Sequence, residues 1–228
     1  MTSETSTPLE QLHDSALDVG ADLLAMRLHY RFGMDVVLTK ISMLQREFEG
    51  TRDYSPIEHV RSRLKTPQSL IAKAQRLGVP LVPSEIKAHI RDIAGIRVTC
   101  SFTTDVYWIA QMLSQQPDVT VVEVKDYIKN PKANGYRSLH QIISVPVYLS
   151  DRTEHVFVEL QIRTIAMDFW ASVEHKLFYK HDTDLPDRLR AELDFAARLA
   201  ADLDERMENL RTEIEEPSVS RQALPPTP

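Results

Sequence analysis

The stretch from Glu154 to Arg163 constrains the fold more than any other part of the chain. Val156, Val158, Leu160 and Ile162 alternate with His155, Phe157, Glu159, Gln161 and Arg163, the period of two expected of a strand with one buried face. A slip of one residue would bury Glu159 with Arg163 and expose the aliphatic side chains, so the pattern sets the register. Glu159, Gln161 and Arg163 then share the face opposite the aliphatic core. A surface strand alternates in the same way. Yet the second face of a sheet has to be covered by something, and a glutamate there is a candidate for chemistry.

Other segments keep the same period. Ile96, Val98 and Cys100 face the core and Arg97 and Thr99 face away, in a strand over 93–100 with Asp92 at its entry. Leu139, Gln141, Ile143, Val145, Val147 and Leu149 alternate in turn, and a further strand spans 119–125. Elsewhere the spacing is helical. Val37, Ile41, Leu44 and Phe48 recur at four, three and four, in a helical region where Gly33 is expected to interrupt or kink the chain. Ser55 as N-cap and Pro56 in the first turn predict a short second helix. Thr66 and Pro67 start a helix that ends before Gly78, with Leu70, Ala74 and Leu77 toward the core. Helices are also predicted over 84–92, 105–115 and 164–179. The last helix, to about Glu216, carries Leu189, Leu193, Ala196, Ala200, Leu203, Met207, Leu210 and Ile214 at alternating spacings of four and three. Such a heptad seam is longer than packing inside a small domain needs and predicts a helix–helix or subunit contact. The fold class is α/β of the α+β type, a mixed sheet of about five strands flanked by helices, with long N- and C-terminal helices.

The polar residues cluster in two places. From His59 to Ser84 there are Arg61, Arg63, Lys65, Lys73 and Arg76 and no acidic residue. Ser69, Lys73 and Arg76 share a helix face, near a helix start whose N–H groups favour anions; a solvated basic helix reads the same. The second cluster is the loop 131–140, Pro-Lys-Ala-Asn-Gly-Tyr-Arg-Ser-Leu-His, preceded by Lys125 and Lys129. Asn134-Gly135 marks a tight turn, so Lys132, Tyr136 and His140 stand at the mouth of a strand, where scaffolds hold ligands. A solvated hairpin turn would have a similar composition. The net charge of −6 excludes recruitment of nucleic acid by the surface as a whole. Basic patches in an acidic chain fit a compact polyanion such as a nucleotide. The single cysteine, Cys100, excludes an internal disulfide and fits a reducing compartment. With no apolar run of membrane-spanning length and no basic, apolar leader, a cytoplasmic location is expected.

A basic face, a Lys/Asn/Tyr/Arg/His loop, and Asp92 and Glu159 at strand positions need one explanation. Phosphate binding accounts for the first, and base stacking on Tyr136 for part of the second. Two carboxylates near phosphates are what Mg²⁺ takes. The combination reads as phosphoryl-type transfer. The scattered glycines form no Walker loop.

Arg63-Leu64-Lys65-Thr66-Pro67-x-Ser69-x-x-x-Lys73-x-x-Arg76, Asp92-Ile93-Ala94-Gly95-Ile96-Arg97, Asn134-Gly135-Tyr136-Arg137-Ser138-Leu139-His140 and Glu159-Leu160-Gln161-Ile162-Arg163-Thr164 resemble, in order, the synthetase domain of the RelA/SpoT superfamily. The length points to its small, single-domain alarmone synthetases, without the hydrolase domain of the long members. The pairs His13-Asp14 and His181-Asp182 lack the further partners of a metal hydrolase site. The resemblance implies a nucleotidyltransferase-like fold and a GTP pyrophosphokinase that moves the β,γ-pyrophosphate of ATP to the 3′-hydroxyl of GDP or GTP. It implies that Arg63 and Arg97 sandwich adenine and that Lys65, Ser69, Lys73 and Arg76 hold the ATP phosphates. Asp92 and Glu159 would bind Mg²⁺, with Glu159 also accepting the 3′-hydroxyl proton. Tyr136 would stack on guanine, with Lys125, Lys132, Asn134, His140, Gln161 and Asp168 lining the acceptor side; Asp168 stands where many members carry Asn, which implies a changed acceptor preference. Arg137 and Arg163 are each read as touching ligand or bracing the site, and His155 and His175 as structural. The expected layout is a disordered start over 1–8, an N-terminal helical region over 9–55, a catalytic core over 56–183, an oligomerisation helix over 184–216 that makes a homo-oligomer, a tetramer by resemblance, and a disordered tail over 217–228. Two other readings stay open: a non-catalytic nucleotide-sensing or RNA-binding module, and a nucleotidyltransferase that releases pyrophosphate.

Overall fold

The structure, a computed structural model, describes residues 8–179 and 186–215, with side chains described over 20–177 and 186–215. Strands β1 (Ile57–Leu64), β2 (Ala94–Cys100), β3 (Thr120–Asp126), β4 (Leu139–Tyr148) and β5 (Thr153–Thr164) make one sheet in the order β1-β2-β5-β4-β3. Only β2 and β5 run parallel; the other neighbours are antiparallel. Helices α1 (Pro8–Thr51), α2 (Pro67–Leu77), α3 (Pro83–His89), α4 (Thr103–Ser114), α5 (Ile165–Tyr179) and α6 (Asp187–Glu215) surround it. This is the mixed five-stranded sheet with long terminal helices that the periodicities predict. The pairs His13-Asp14 and His181-Asp182, the residues before Pro8 and the tail from 217 lie outside the residues whose side chains are described.

The alternation on β5 is realised without slippage. Val156, Val158, Leu160 and Ile162 are buried with Ile96, Val98, Ile143 and Val145 of the adjacent strands. Helices α1 and α4 cover this face through Val37, Ile41, Ile109 and Leu113. Each such side chain contributes about 1.5–3 kcal/mol on burial, so a register slip that exposed several would exceed the net stability of an ordinary domain. The polar face of β5 is thereby held outward from α1.

Three sequence expectations are corrected. The short helix at Ser55-Pro56 is strand β1. Ile57, Val60 and Leu64 sit at helical spacings of three and four, but a bulge opposes Ile57 and His59 to Cys100 and Thr99. The extra residue shifts parity and lets Ile57 and Val60 both turn to the core side. Gly33 does not interrupt α1, which runs unbroken; a Cβ there would stand 2.7 Å from Val156 Cγ1, so glycine is needed for the close approach of helix to sheet. Leu77 is 51% exposed. Gly78 closes α2 in the left-handed conformation with φ 66°, and the chain turns so that Val79 packs on the core in its place.

The heptad seam of α6 is not consumed by the described residues. Helix α6 buries Ala197 and Asp204, beside the seam, toward α5 and α4, while the neighbouring Leu199 and the seam residues Leu203, Met207 and Leu210 are exposed. With Ile165 and Phe169 of α5, three of them line an apolar groove of about 610 Å³.

Candidate active site

Strand register arranges the polar face in rows. Glu159 lies opposite Gly95 of β2 and Ile142 of β4, and Gly95 opposite Arg63 of β1. Two residues along, Gln161 lies opposite Arg97 and His140, with Arg61 and Lys125 at the ends of that row. Cross-strand partners point to one side of a sheet, so strand pairing alone gathers Arg61, Arg63, Arg97, Lys125, His140, Glu159 and Gln161. Gly95 keeps the centre open, with no side chain between Arg63 and Glu159.

Two depressions open over these rows. One, of about 390 Å³, is lined by Arg61, Arg63, Lys65, Arg97 and Gln161 together with Asp92 and Glu159. The other, of about 420 Å³, is lined by Lys73, Arg91, Glu123 and Lys125, again with Asp92 and Glu159. The two carboxylates are the wall the depressions share. Asp92 is gripped by Lys65 Nζ at 3.0 Å and by Lys73 Nζ at 2.7 Å. Burial pushes its pKa up, but the two ammonium groups outweigh burial and hold the carboxyl below its ordinary value. Lys65 comes from the residue just beyond β1, whose N–H bonds Ile93 O at 2.8 Å, and Lys73 from the second turn of α2. Thr66 caps that helix by accepting from Ser69 N at 3.2 Å.

Glu159 is gripped differently. Gln161 Nε2 donates to its Oε2 at 3.1 Å, and His140 Nδ1 stands 3.5 Å from Oε1. Burial pushes this carboxyl up and Asp92 adds to that, but His140 and Gln161 more than offset them, so Glu159 is also held below its ordinary value. It is ionised at neutral pH and has an accepting lone pair to offer.

Behind Glu159 lies a buried network. Tyr136 OH lies 2.8 Å from His140 Nε2 and accepts from Arg163 Nη2 at 2.5 Å. The rings of Tyr127, Tyr136 and His140 meet edge to face. Asp168 is paired at once with Arg97, at 3.1 Å, and with Arg163, at 3.3 Å. Burial pulls the Arg163 guanidinium below its ordinary pKa and raises that of Tyr136.

The structure thus brings together Arg63, Lys65, Asp92, Arg97, Glu159 and Gln161, with Lys73 and Lys125 across the shared wall. The remaining expected residues are placed otherwise. Ser69 Oγ accepts from Thr66 Oγ1 at 2.9 Å, and Arg76 is exposed near the end of α2. Lys132 Nζ sits 4.7 Å from the centres of both the Tyr127 and Tyr136 rings. Asn134 donates to Glu174 of α5 at 3.0 Å and accepts from Tyr136 N, in a turn where Gly135 has φ 79°. Asp168, expected to face an acceptor base, is occupied by two guanidinium groups. Arg137 Nη1 bonds Ile128 O at 3.2 Å, a brace across the loop.

Sequence reasoning counted Arg61 in the basic cluster without giving it a place in the site, and missed Tyr127. Arg61 is two residues before Arg63 and would have been placed beside it had β1 been read as a strand. Tyr127 carries no local signal, since its contacts come from the fold of the loop. Arg97 Nε is buried without a partner among the described residues, a donor that a ligand in the depression it lines with Arg61, Arg63 and Gln161 would satisfy.

The chain matches, over residues 62–184, the family described as a region found in RelA / SpoT proteins. It is 48% identical over 188 residues to the GTP pyrophosphokinase YwaC of Bacillus subtilis, across 82% of this chain and 90% of that protein. Among solved structures it is similar to small alarmone synthetase 2 from Bacillus subtilis, with TM-score 0.77 and 47% identity over 84% of this chain and 99% of the other. Small alarmone synthetase 1 from the same organism, bound to its product pppGpp, gives TM-score 0.76 and 39% identity over 82% and 95%.

Proposed function

The chain belongs to the RelA/SpoT family, and from that premise we infer that it is a (p)ppGpp synthetase, a GTP pyrophosphokinase using ATP and GDP or GTP. The 3′-oxygen of the acceptor ribose attacks the β-phosphorus of ATP, the bond from that phosphorus to the α,β-bridging oxygen breaks, and AMP leaves. One observation supports this above the others: Asp92 and Glu159 form the single wall between two cation-lined depressions. A transfer between two nucleotides needs two pockets that meet at one charge-handling centre.

The residues take roles from their surroundings. Arg63 and Arg97 flank the adenine. Lys65 and Lys73, now paired with Asp92, turn to the donor phosphates, with Ser69 and Arg76 along the same helix face. Glu159, ionised and held by two donors, takes the 3′-hydroxyl proton. Tyr136, Lys125, Lys132, Asn134, His140, Gln161 and Asp168 shape the acceptor side. Asp92 and Glu159 fit a Mg²⁺ ion: two carboxylates share one wall, and no group of three metal-ligating side chains completes a cage among the described residues. That sparse oxygen set is what magnesium takes when phosphates supply the rest. When bound, it draws charge from the donor phosphates.

Residues 56–183 carry every one of these groups and form the catalytic unit, with α1, in the region 9–55, supplying one wall of its hydrophobic core. The exposed seam of α6 and the groove beside it serve subunit contacts in a homo-oligomer, for which a tetramer is the proposed form. Light scattering on the intact chain and on Leu203→Glu checks this: a monomer at micromolar concentration in the parent chain removes it. The reaction is assigned to the cytoplasm, on the buried unpaired Cys100 and on described helices none of which is long and apolar enough to cross a membrane.

Incubation with labelled ATP, GDP and Mg²⁺ tests the activity. AMP and ppGpp are expected. Pyrophosphate as product would mean nucleotidyl transfer instead, and binding without turnover would mean a sensing module.

A further inference from the structure

On β5 the polar side alternates Glu159, Gln161, Arg163, and the first two line the cationic depression. Arg163 lines neither depression and is only 4% exposed. A guanidinium in such a place is costly unless its donors are used. Nη2 donates to Gln161 Oε1 at 2.8 Å and to the Tyr136 hydroxyl at 2.5 Å. Nη1 reaches Asp168 Oδ1 at 3.3 Å and Nε reaches Ser138 Oγ at 3.4 Å.

Both Nη2 contacts end at Glu159. With Oε1 turned to the guanidinium, Gln161 can present only its Nε2 to Glu159 Oε2, 3.1 Å away. The Tyr136 oxygen accepts from Arg163 and so directs its own proton to His140 Nε2 at 2.8 Å. In the neutral imidazole the hydrogen is then on Nδ1, the nitrogen 3.5 Å from Glu159 Oε1. One buried cation sets the donor direction of both side chains that hold the two oxygens of Glu159.

We propose that Arg163 is a positioning residue for the transfer: it orients Gln161 directly, and His140 through Tyr136, so that Glu159 is fixed in one rotamer at the shared wall. The proposal rests on the synthetase reading given above. Without Arg163 the Gln161 amide is free to flip and set its oxygen against the carboxylate, and His140 is free to change tautomer. Glu159 keeps its chemistry and loses its aim. Arg137 stands outside this ring, its guanidinium on the Ile128 carbonyl.

The test compares the parent chain with Arg163→Met, Tyr136→Phe and the double variant, by steady-state kinetics with ATP, GDP and Mg²⁺. Tyr136→Phe keeps the aromatic face and removes only the hydroxyl link. It should lower kcat about tenfold, the usual size for removing a group that orients a ligand-touching side chain, with the KM for each nucleotide within about twofold of the parent. Arg163→Met should lower kcat about a hundredfold, as for a misplaced reacting group, with the KM for ATP unchanged. The double variant should lose less than the product of the two, because the link through Tyr136 starts at Arg163 and is already broken in Arg163→Met. A readout that needs no turnover is the Gln161 side-chain amide in metal-free protein, whose protons should lose their protection from solvent exchange in Arg163→Met. Parent kcat in Tyr136→Phe, or losses that multiply in full, overturns the proposal. If Arg163→Met does not fold, Tyr136→Phe decides alone by the same criterion. A parent chain that releases no AMP sinks the synthetase reading and this proposal with it; an active parent with unaffected variants sinks this proposal only.

Discussion

Two flanks of the site are built in opposite ways. Toward β1 and α2, the site is made of cations on an edge strand and a short helix: Arg61, Arg63 and Arg76 are exposed, and Lys65 and Lys73 are only partly covered. The fixed partner of the two lysines is Asp92. Toward β4, the loop 127–138 and α5, the site is a closed hydrogen-bonded network in which Arg163 is buried and Tyr136, His140, Gln161 and Asp168 all contact another member. The first side attracts charge and gives it latitude, which suits a solvated triphosphate. The second is preorganised and directional, which suits a base with a fixed edge and a hydroxyl that must be aimed. Substitutions on the first side should therefore act on binding, and those at the junction or on the second side on alignment.

The largest effect is expected where the two sides meet. Glu159→Ala removes the proton acceptor and a carboxylate of the wall, and should lower kcat by roughly two orders of magnitude or more while the protein still melts cooperatively. A rate near that of the parent would dissolve the distinction between a centre and its two flanks. Next come two changes that should mirror each other. Lys73→Ala takes one of two ammonium groups from the donor flank and should raise the KM for ATP about tenfold, the scale of a charge-assisted hydrogen bond, leaving the KM for the acceptor alone. Tyr136→Ala removes the aromatic face and should raise the KM for GDP about tenfold, leaving that for ATP alone. Crossed effects, with Lys73 governing the acceptor or Tyr136 the donor, would break the comparison.

How much of this was legible in the sequence follows the same division. The alternation on β5 and β2 placed Glu159, Gln161 and Arg97 on the polar face, because a period of two read against a buried core leaves a single register. The Thr66 cap and the start of α2 were equally plain, since capping chemistry is local. Strand β1 was misread because its bulge turns a parity of two into apolar spacings of three and four, and Arg61, counted in the basic cluster, was left without a place in the site. The ring of Arg163, Tyr136, His140 and Gln161 was out of reach for another reason. Its members are near in sequence only in pairs, and their donor directions depend on a loop closing back on β5. The pairing of Asp168 with Arg97 joins residues 71 positions apart, which no local period encodes.

The smallest expected effect lies where the directional flank is mounted on α6. Asp204 is 9% exposed and accepts from Thr164 Oγ1, the last residue of β5, at 2.7 Å. Burial raises its pKa from 3.8 to about 6; Thr164 and Arg137 oppose this and Glu208 adds to it. The folded chain thus holds this proton more tightly than the unfolded chain. The stability it contributes is complete below about pH 4 and is lost as pH rises through about 6. Asp204→Asn keeps an acceptor for Thr164 and removes the charge. By urea titration it should stabilise the protein by about 1–2 kcal/mol at pH 7.5, since solvent at the helix face screens part of the charge, and the gain should close as pH falls to about 4.5. Lys40→Met on α1, whose partner is the half-exposed Asp118, should show no such pH-dependent gain. If both variants behave alike, the mounting of α6 is no more sensitive to protons than the rest of the surface.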